Sequence, residues 1–505
     1  MPLTRWLQNK AMICVPIVAN NNNDAIRDME CASKIADAVE LRIDYIHDLN
    51  LRQILEKCTK PVIVTNRPVR EGGKFRGTEE ERLQLLKQAI QLQADYVDIE
   101  HDSIRNVKKN GNALFAGSKT KIIVSYHNFK ETPENLSEIY NKLCQSGADI
   151  VKIVTHANSI TDNIKIYQLL LQSKIPMISF CMGEYGIISR ILYKIFGSYL
   201  TFASLQKGKE SAPGQINIEE LLNRYHIKSQ NKHTEVYGLI GNPVSHSISP
   251  MIHNALFREM GMNCVYVPFK VDEIGRFISE FKKLNISGYS VTIPHKESII
   301  NYLDDTDPIA KKIGAVNTVV NKNNRLIGFN TDLEAAITVL AEVANVSDHT
   351  AADACFKNKH VTIIGAGGVA RAIAFGLKMY GADITLVSRN HNRMQSLAGE
   401  VGCSFTNKNG LQNLETDIFV NATPVGMYPS INETPVDRKL LKPNMIVFDT
   451  IYNPSETKLI KDAKEIGCKT VGGMPMFIRQ AAAQFRLWTN TEPPLDIIEN
   501  IAYID

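Results

Sequence analysis

The chain has 505 residues, and at about 150 residues per domain that length predicts roughly three domains. Its 57 lysines and arginines against 53 aspartates and glutamates leave a net charge of +4, too small and too evenly spread to predict binding to nucleic acid or to an anionic membrane. A composition 44% hydrophobic and 22% charged excludes wholesale disorder, and no apolar run approaches the roughly 18 residues a membrane-spanning helix needs.

The amino terminus, MPLTRWLQNK, lacks the apolar core of a secretory signal and is too short for a transit peptide. Nine scattered cysteines without a C-x-x-C pair predict neither a disulfide framework nor a zinc site, so no metal is expected and a cytoplasmic location is. Short β-branched runs then recur at near-equal spacing: Met12–Val18, Ala38–Ile43, Pro61–Thr65, Tyr96–Ile99, Lys121–Tyr126, Ile150–Val154, Pro176–Phe180 and Leu200–Ala203. Between them lie helical patterns such as Glu79–Leu92, with Leu83, Leu86, Ala89 and Ile90 on one face. Eight alternating βα units predict a closed (β/α)8 barrel, with an open doubly wound sheet as the rival. Asn20–Asn23 reads as a low-complexity, mobile βα loop.

Polar residues interrupt these strands or follow them. Glu40 and Arg42 lie in the second, and Lys152 lies inside the sixth. Arg67 and Glu71 follow the third, His127 the fifth, Arg190 the seventh, and Ser211 and Gln215 the eighth. The carboxyl-terminal rim of a barrel is where active sites are built. Lys152 sits among β-branched residues, where burial and neighbouring arginines such as Arg42 would favour its neutral form, a nucleophile for a ketone. A snorkelling lysine or an ion pair with Glu40 is the plainer alternative. Convergence with His127 and the arginines favours a site. Glu100 and His101 read as satisfied rim positions.

The segments Glu40–Asp44, Thr65–Pro68 with Glu71–Gly73, Ser125–His127, Val151–Ile153, Met182–Arg190 and Ser211–Gln215 resemble type I 3-dehydroquinate dehydratase. They come in that family's order and cover residues about 10–225. The resemblance implies an imine between Lys152 and the C3 ketone of 3-dehydroquinate. His127, held by Glu71, would take the C2 proton and return it to the departing C1 hydroxyl. Arg190 would clamp the carboxylate, while Glu40, Arg42, Arg67, Ser211 and Gln215 hold hydroxyls and close the site.

Ile216–Tyr225 reads as a last short helix, and the polar stretch His226–Thr234 as a linker. Further βα units follow over 236–335. They carry Gly241–Pro250, Gly288–Lys296, Gly314–Thr318 and Asn330–Asp332. Singly these are ordinary turns and caps; in series they suggest a polar pocket. Val361–Arg371 is more specific. Gly365, Gly367, Gly368 and Ala370 follow an apolar strand and open a helix, the context of a dinucleotide-binding turn. After the next strand, Ser388, Arg389 and Arg393 stand where an NAD site would want an acid. A 2′-phosphate fits them, so NADP(H) is the expected cofactor.

Residues 236–505 resemble shikimate dehydrogenase, with support from Asn421–Met427, Asp449–Pro454 and Gly472–Gln480. The resemblance implies a catalytic pair, Lys296 and Asp332. It implies Ser247, Ser249 and Tyr452 at the substrate carboxylate, and Thr292, Asn317 and Gln480 at ring hydroxyls. Asn421, Met427 and Gly473 would lie on the cofactor side. One departure is Ala335, where the family usually has glycine. The expected map is therefore a barrel over 1–228, a substrate domain over 236–335 completed by a carboxyl-terminal helix in 477–505, and a Rossmann-type NADP domain over 336–476. The two resemblances together imply dehydration of 3-dehydroquinate to 3-dehydroshikimate and NADPH-dependent reduction to shikimate, with these small molecules as partners. A dehydrogenase half acting on quinate, and a catalytically inactive metabolite-binding regulator, are the alternatives. Retention of Lys152, His127, Lys296 and Asp332 argues against the second.

Overall fold

Eight of the apolar runs form strands. The computed structural model describes residues 11–104, 118–245, 247–344 and 355–503; the amino terminus read for targeting, residues 1–10, lies outside them. The strands are β1 (Met12–Ile17), β2 (Ala38–Arg42), β3 (Val62–Thr65), β4 (Tyr96–Glu100), β5 (Lys121–Asn128), β6 (Ile150–His156), β7 (Met177–Met182) and β8 (Leu200–Phe202). All the pairs are parallel, in the order β7-β6-β5-β4-β3-β2-β1-β8. The seam between β7 and β8 is drawn together by the Tyr199 amide on the Met177 carbonyl, 2.7 Å, and by the Ser179 amide on Ser198 Oγ, 3.1 Å. This is the near-closed eight-stranded barrel that the spacing predicts.

Side chains alternate along each strand, so the interior is built in layers. One apolar cluster takes a residue from every strand: Cys14, Ala38, Ile63, Tyr96, Ile123, Ile150, Ile178 and Leu200. Two residues further along β2 to β6 come Glu40, Thr65, Asp98, Ser125 and Lys152, all buried. The polar layer thus follows from the same period of two that fills the floor.

Asn20–Asn23 is not a mobile loop. Asn21 caps the helix Asn22–Ser33 by accepting from the Asp24 amide, and Asn22 bonds the backbone of Asp48 and Asn50. Short amide side chains favour that capping role over disorder.

Contacts group Met1–Val236 with Phe257–Asn285 in one compact unit, and Tyr237–Leu256 with Ile286–Asp505 in a second. Strand β9 (Glu235–Gly241) starts the new sheet, and β10 (Cys264–Lys270) falls in the first unit. In the second unit, β9 pairs in parallel with β11 (Gly288–Val291), and β14 (Arg325–Phe329) with the short β12 (Asp305–Thr306). Here the expectation of repeated βα units fails. Strand β13 (Thr318–Lys322) is antiparallel to both β11 and β14. Asn323 and Asn324, at φ 54° and 64°, close a two-residue hairpin of the kind that positive φ at both positions permits.

The remaining strands form a six-stranded parallel sheet. They are β15 (His360–Ile364), β16 (Asp383–Val387), β17 (Ser404–Thr406), β18 (Ile418–Asn421), β19 (Ile446–Asp449) and β20 (Lys469–Val471), in the order β17-β16-β15-β18-β19-β20. The order reverses between β15 and β18, where doubly wound sheets bind their ligands. The carboxyl-terminal helix starts at Gly473, ahead of the expected Phe477, and runs to Thr489 before a second helix, Leu495–Ala502. Ala335, in place of the family's usual glycine, is buried and accommodated in the helix Asp332–Val343. Among the described residues no helix is long and apolar enough to cross a membrane.

Candidate active sites

In the barrel, Glu40, Arg42, Arg67, Glu71, His127, Lys152, Arg190, Ser211 and Gln215 all line one cleft. The strand register brings Glu40, Arg42, His127 and Lys152 there, and the segments after the strands bring the rest. Arg42 pairs with Thr65, Thr65 with Asp98, and Ser125 with Lys152 across adjacent strands.

Lys152 Nζ lies 2.8 Å from Asp98 Oδ2, 3.7 Å from Glu40 Oε1 and 4.6 Å from the Phe202 ring centre. Acids are therefore its nearest charges, not arginines as expected. Arg42 donates to Asp44 through Nε and Nη2, at 2.9 and 2.8 Å, so its charge is balanced within its own loop.

Asp98 escaped the sequence reading. It is fully buried and also accepts from Ser125 Oγ, at 2.6 Å, and pairs with Arg67 Nη2, at 2.8 Å. Burial alone would raise its pKa, but Arg67 and Lys152 hold the carboxyl far below the usual range. The signal was present, because a charge inside the strand Tyr96-Val-Asp-Ile-Glu100 is as anomalous as Lys152 in its own strand. Glu100, the last residue of β4, lies on the same strand face and is a satisfied position at the strand's end, as expected. It is buried, with ion pairs of 2.7 Å to Arg67 and to Arg82.

His127 Nδ1 lies 3.1 Å from Glu71 Oε2, as expected. Burial, with help from Arg67 and Lys152, holds His127 well below its ordinary value, so the imidazole is neutral at neutral pH. Burial also pushes Glu71 up to about 7.

Arg190, on the helix Ile187–Ile191, is 1% exposed, and its Nε and Nη2 have no partner. Its guanidinium lies 4.2 Å from the Phe180 ring centre, and burial lowers its pKa to about 10, which leaves it a cation at neutral pH. A buried cation without a carboxylate is costly unless a ligand brings the anion. Ser211 donates its amide to Gln215 Oε1 at 2.7 Å, which leaves Gln215 Nε2 buried and unpartnered at the cleft. Gly214 makes this strap possible. Its φ is +73°, and a Cβ there would lie 2.6 Å from the Gly183 carbonyl oxygen.

In the second unit, Lys296 Nζ lies 2.5 Å from Asp332 Oδ2. Asp332 is the first residue of its helix, and its Oδ1 accepts from Asn317 Nδ2 at 2.9 Å. Ser247 Oγ donates to Ser249 Oγ at 3.1 Å, Ser249 opens the helix Ser249–Glu259, and Tyr452 bonds Ser247. The hydroxyls expected at the substrate carboxylate are thus together. Thr292 ends the β11 turn, where its methyl closes on Gly241. Thr331 Oγ1 donates to the Gln480 carbonyl, 3.3 Å, which ties the carboxyl-terminal helix to the Asn317–Asp332 network.

The nucleotide turn follows the expected geometry. Gly365 has φ +128°, and a Cβ on it would meet the Ala422 carbonyl oxygen at 2.6 Å. A Cβ on Gly367 would meet nothing within 4 Å, so the helix Gly368–Met379 starts on open space suited to a pyrophosphate. Ala370 is buried and packs the helix rather than facing a ligand. Asn421, expected on the cofactor side, is also fully buried. Its amide bonds Val425 O and Asp449, so it shapes the loop that carries Met427 from behind. Gly473 opens its helix against the backbone of Thr450 and Ile451.

Beyond β16, Ser388 accepts from the Asn390 amide, and Arg393 pairs with Glu297. Arg389 is exposed and makes no ion pair among the described residues. With no acid at this position, the residues fit the 2′-phosphate of NADP(H), and Arg389 is the guanidinium free to take it. Arg389→Ala should weaken NADPH while leaving NADH nearly unchanged. A charged hydrogen bond is worth about 1.5–3 kcal/mol, or about 10- to 150-fold in affinity. Titration of both cofactors checks this, and equal losses for the two would exclude a phosphate contact.

Comparison with known proteins agrees with this geometry. Residues 13–232 match the family model of type I 3-dehydroquinase, 239–319 the shikimate dehydrogenase substrate binding domain, and 473–503 the shikimate 5′-dehydrogenase C-terminal domain. Residues 360–450 match the family described as NADP oxidoreductase, coenzyme F420-dependent. The chain is 37% identical over 507 residues to the bifunctional 3-dehydroquinate dehydratase/shikimate dehydrogenase of Arabidopsis thaliana, covering 97% of this chain and 84% of the relative. Its second half is 41% identical over 288 residues to the NADP(+) shikimate dehydrogenase of Methanocaldococcus jannaschii, covering 54% of this chain and 98% of the relative. A crystal structure of a shikimate dehydrogenase in complex with NADP+ is 40% identical, covers 54% of this chain and 96% of its own, and superposes with a TM-score of 0.50. With both halves matched and the fused relative covered over most of its length, the chain belongs to the family of bifunctional 3-dehydroquinate dehydratase/shikimate dehydrogenases.

Proposed function

We propose that the chain carries out two consecutive steps of the shikimate pathway, the dehydration of 3-dehydroquinate and the NADPH-dependent reduction of the resulting 3-dehydroshikimate. The observation that carries the first step is Arg190, a buried guanidinium with unpartnered nitrogens on the same cleft as Lys152. It is matched to a carboxylate ligand. Once Arg190 holds that carboxylate, the C3 ketone meets Lys152 Nζ. Attack with loss of water gives an iminium, whose positive charge remains beside the Asp98 carboxylate. The iminium acidifies the C2 hydrogen, which His127 removes, and the electron pair expels the C1 hydroxyl as His127 returns the proton. Hydrolysis of the imine frees Lys152.

In the second unit, the Ser247, Ser249 and Tyr452 hydroxyls hold the substrate carboxylate. NADPH, when bound across Gly365, Gly367 and Arg389, supplies hydride. Lys296 hydrogen-bonds the ketone oxygen as charge develops and protonates it, with Asp332 orienting the ammonium. The modest net charge and nine free cysteines support a cytoplasmic enzyme whose partners are small molecules. The test is a coupled assay in which 3-dehydroquinate and NADPH are supplied together. NADPH absorbance should fall and shikimate should accumulate. An unchanged NADPH signal, or a product other than shikimate, overturns the proposal.

A further inference from the structure

Asp449 ends β19 beside Asn421, the last residue of β18, in direct register at the point where the sheet faces its ligand. It is fully buried. Its Oδ1 accepts from Asn421 Nδ2 at 3.0 Å and from the Ile451 amide at 3.1 Å, and its Oδ2 accepts from Thr457 Oγ1 at 2.6 Å. Each of these partners leads to a different segment of the second unit. Asn421 Nδ2 also donates to Val425 O, and its Oδ1 accepts from the amide and hydroxyl of Thr423, which fixes the turn that presents Met427. Ile451 precedes Tyr452, and its carbonyl accepts from the Gly473 amide at 3.0 Å, which seats the start of the carboxyl-terminal helix. Thr457 caps the helix Lys458–Ile466 by accepting from the Ile460 amide.

We propose that Asp449, in its ionised form, is the positioning residue of the nicotinamide end of the site, holding the Met427 turn, the Tyr452 segment and the Gly473 helix start in one arrangement. The inference rests on the reading of this unit as an NADPH-dependent reductase. Gly367 and Arg389, at the adenosine end beyond β15 and β16, make no hydrogen bond to Asp449, Asn421, Ile451 or Thr457 among the described residues.

The hydrogen-bond pattern, three donors and no acceptor facing the carboxyl, is the one the ionised form satisfies best. The Thr457 hydroxyl has one proton, which goes to Asp449, while its oxygen accepts from Ile460. If Asp449 carries a proton on Oδ2, that oxygen becomes a poor acceptor and its proton competes with the Thr457 hydroxyl proton, which weakens the bond. Burial raises this carboxyl, and the bonds from Thr457, Ile451 and Asn421 bring it only part of the way back, to about 6. The groups facing it are Asn421 from β18, the Ile451 amide at its own strand end and Thr457 at the helix start. None of them titrates, so the transition is its own. Reduction should therefore weaken as pH falls through about 6.

The test uses the full chain, and its first measurement is reduction of 3-dehydroshikimate by the wild type. Absence of that activity overturns the reductase reading itself, before Asp449 is probed. Given activity, Asp449→Asn should lower kcat by about 10- to 100-fold, the loss expected for a misplaced reacting pair. Affinity for 2′,5′-ADP, which probes only the adenosine end, should stay within about twofold. The variant should also lack the acid limb near pH 6 that the wild type shows. Thr457→Val, which keeps the acid and removes one donor, should move that limb to higher pH. Wild-type kcat in Asp449→Asn overturns the inference, as does loss of 2′,5′-ADP affinity in parallel with kcat. If Asp449→Asn does not fold, an unmoved acid limb in Thr457→Val has the same force.

Discussion

Borohydride added together with 3-dehydroquinate should inactivate dehydration and leave a stable mass increment on the peptide containing Lys152, while Lys152→Ala should abolish both dehydration and trapping. The reagent reduces an iminium to a secondary amine, so it reports the covalent intermediate directly. Only a lysine that reaches the ketone as a free amine can form it. In the resting cleft Lys152 is ion-paired with Asp98, so the substrate must take the place of that contact. Asp98 can release the lysine without becoming an isolated charge, because Arg67 remains 2.8 Å from it and Ser125 still donates to it. The same arrangement should let Lys152→Ala fold, since its removal leaves Asp98 paired. Reduction of supplied 3-dehydroshikimate by the variant should remain intact, because Lys296 and Asp332 share no residue with the barrel cleft. Trapping that survives Lys152→Ala would place the nucleophile elsewhere.

Much of this chemistry is legible in the sequence because a strand of a closed barrel leaves little freedom. With a period of two and a floor of apolar residues, Glu40 and Lys152 can only point inward, and their oddity in β-branched strands marks them. Asp98 obeys the same rule and was missed because Glu100, two residues on, drew attention to the end of that strand. What the strands do not encode is who pairs with whom. Arg42 and Arg67 look alike in sequence, yet Arg42 is neutralised by Asp44 within its own loop, whereas Arg67 bridges Asp98 and Glu100. The hairpin at Asn323–Asn324 was overlooked for a related reason. Two amides in series are an ordinary loop until both adopt positive φ and reverse the strand. Asn421 shows the opposite error. A residue within a recognisable motif was expected to touch the cofactor, but burial directs its amide to the loop and to Asp449.

His127→Ala should still allow borohydride trapping at Lys152, because imine formation needs mainly the amine and the ketone, but elimination should fall by about 10²- to 10⁴-fold, the usual loss on removing a general acid–base. The pH dependence of the wild type gives a second reading of the same residue. An ionised Glu71 can only accept, so it holds the proton on Nδ1 and leaves Nε2 as the basic nitrogen toward the cleft. A protonated Glu71 can donate to Nδ1 instead, which stabilises the tautomer with its proton on Nε2 and removes the base. Burial places the Glu71 transition at about 7, while His127 itself, held below its ordinary value, becomes a cation only at lower pH. Dehydration should thus decline as pH falls through about 7 by loss of the correct tautomer, before any imidazolium forms. In Glu71→Gln, whose amide does not titrate, that limb should be absent and only the lower one should remain. Wild-type-like dehydration by His127→Ala, or a limb near 7 that persists in Glu71→Gln, would remove His127 from its assigned role or Glu71 from control of it.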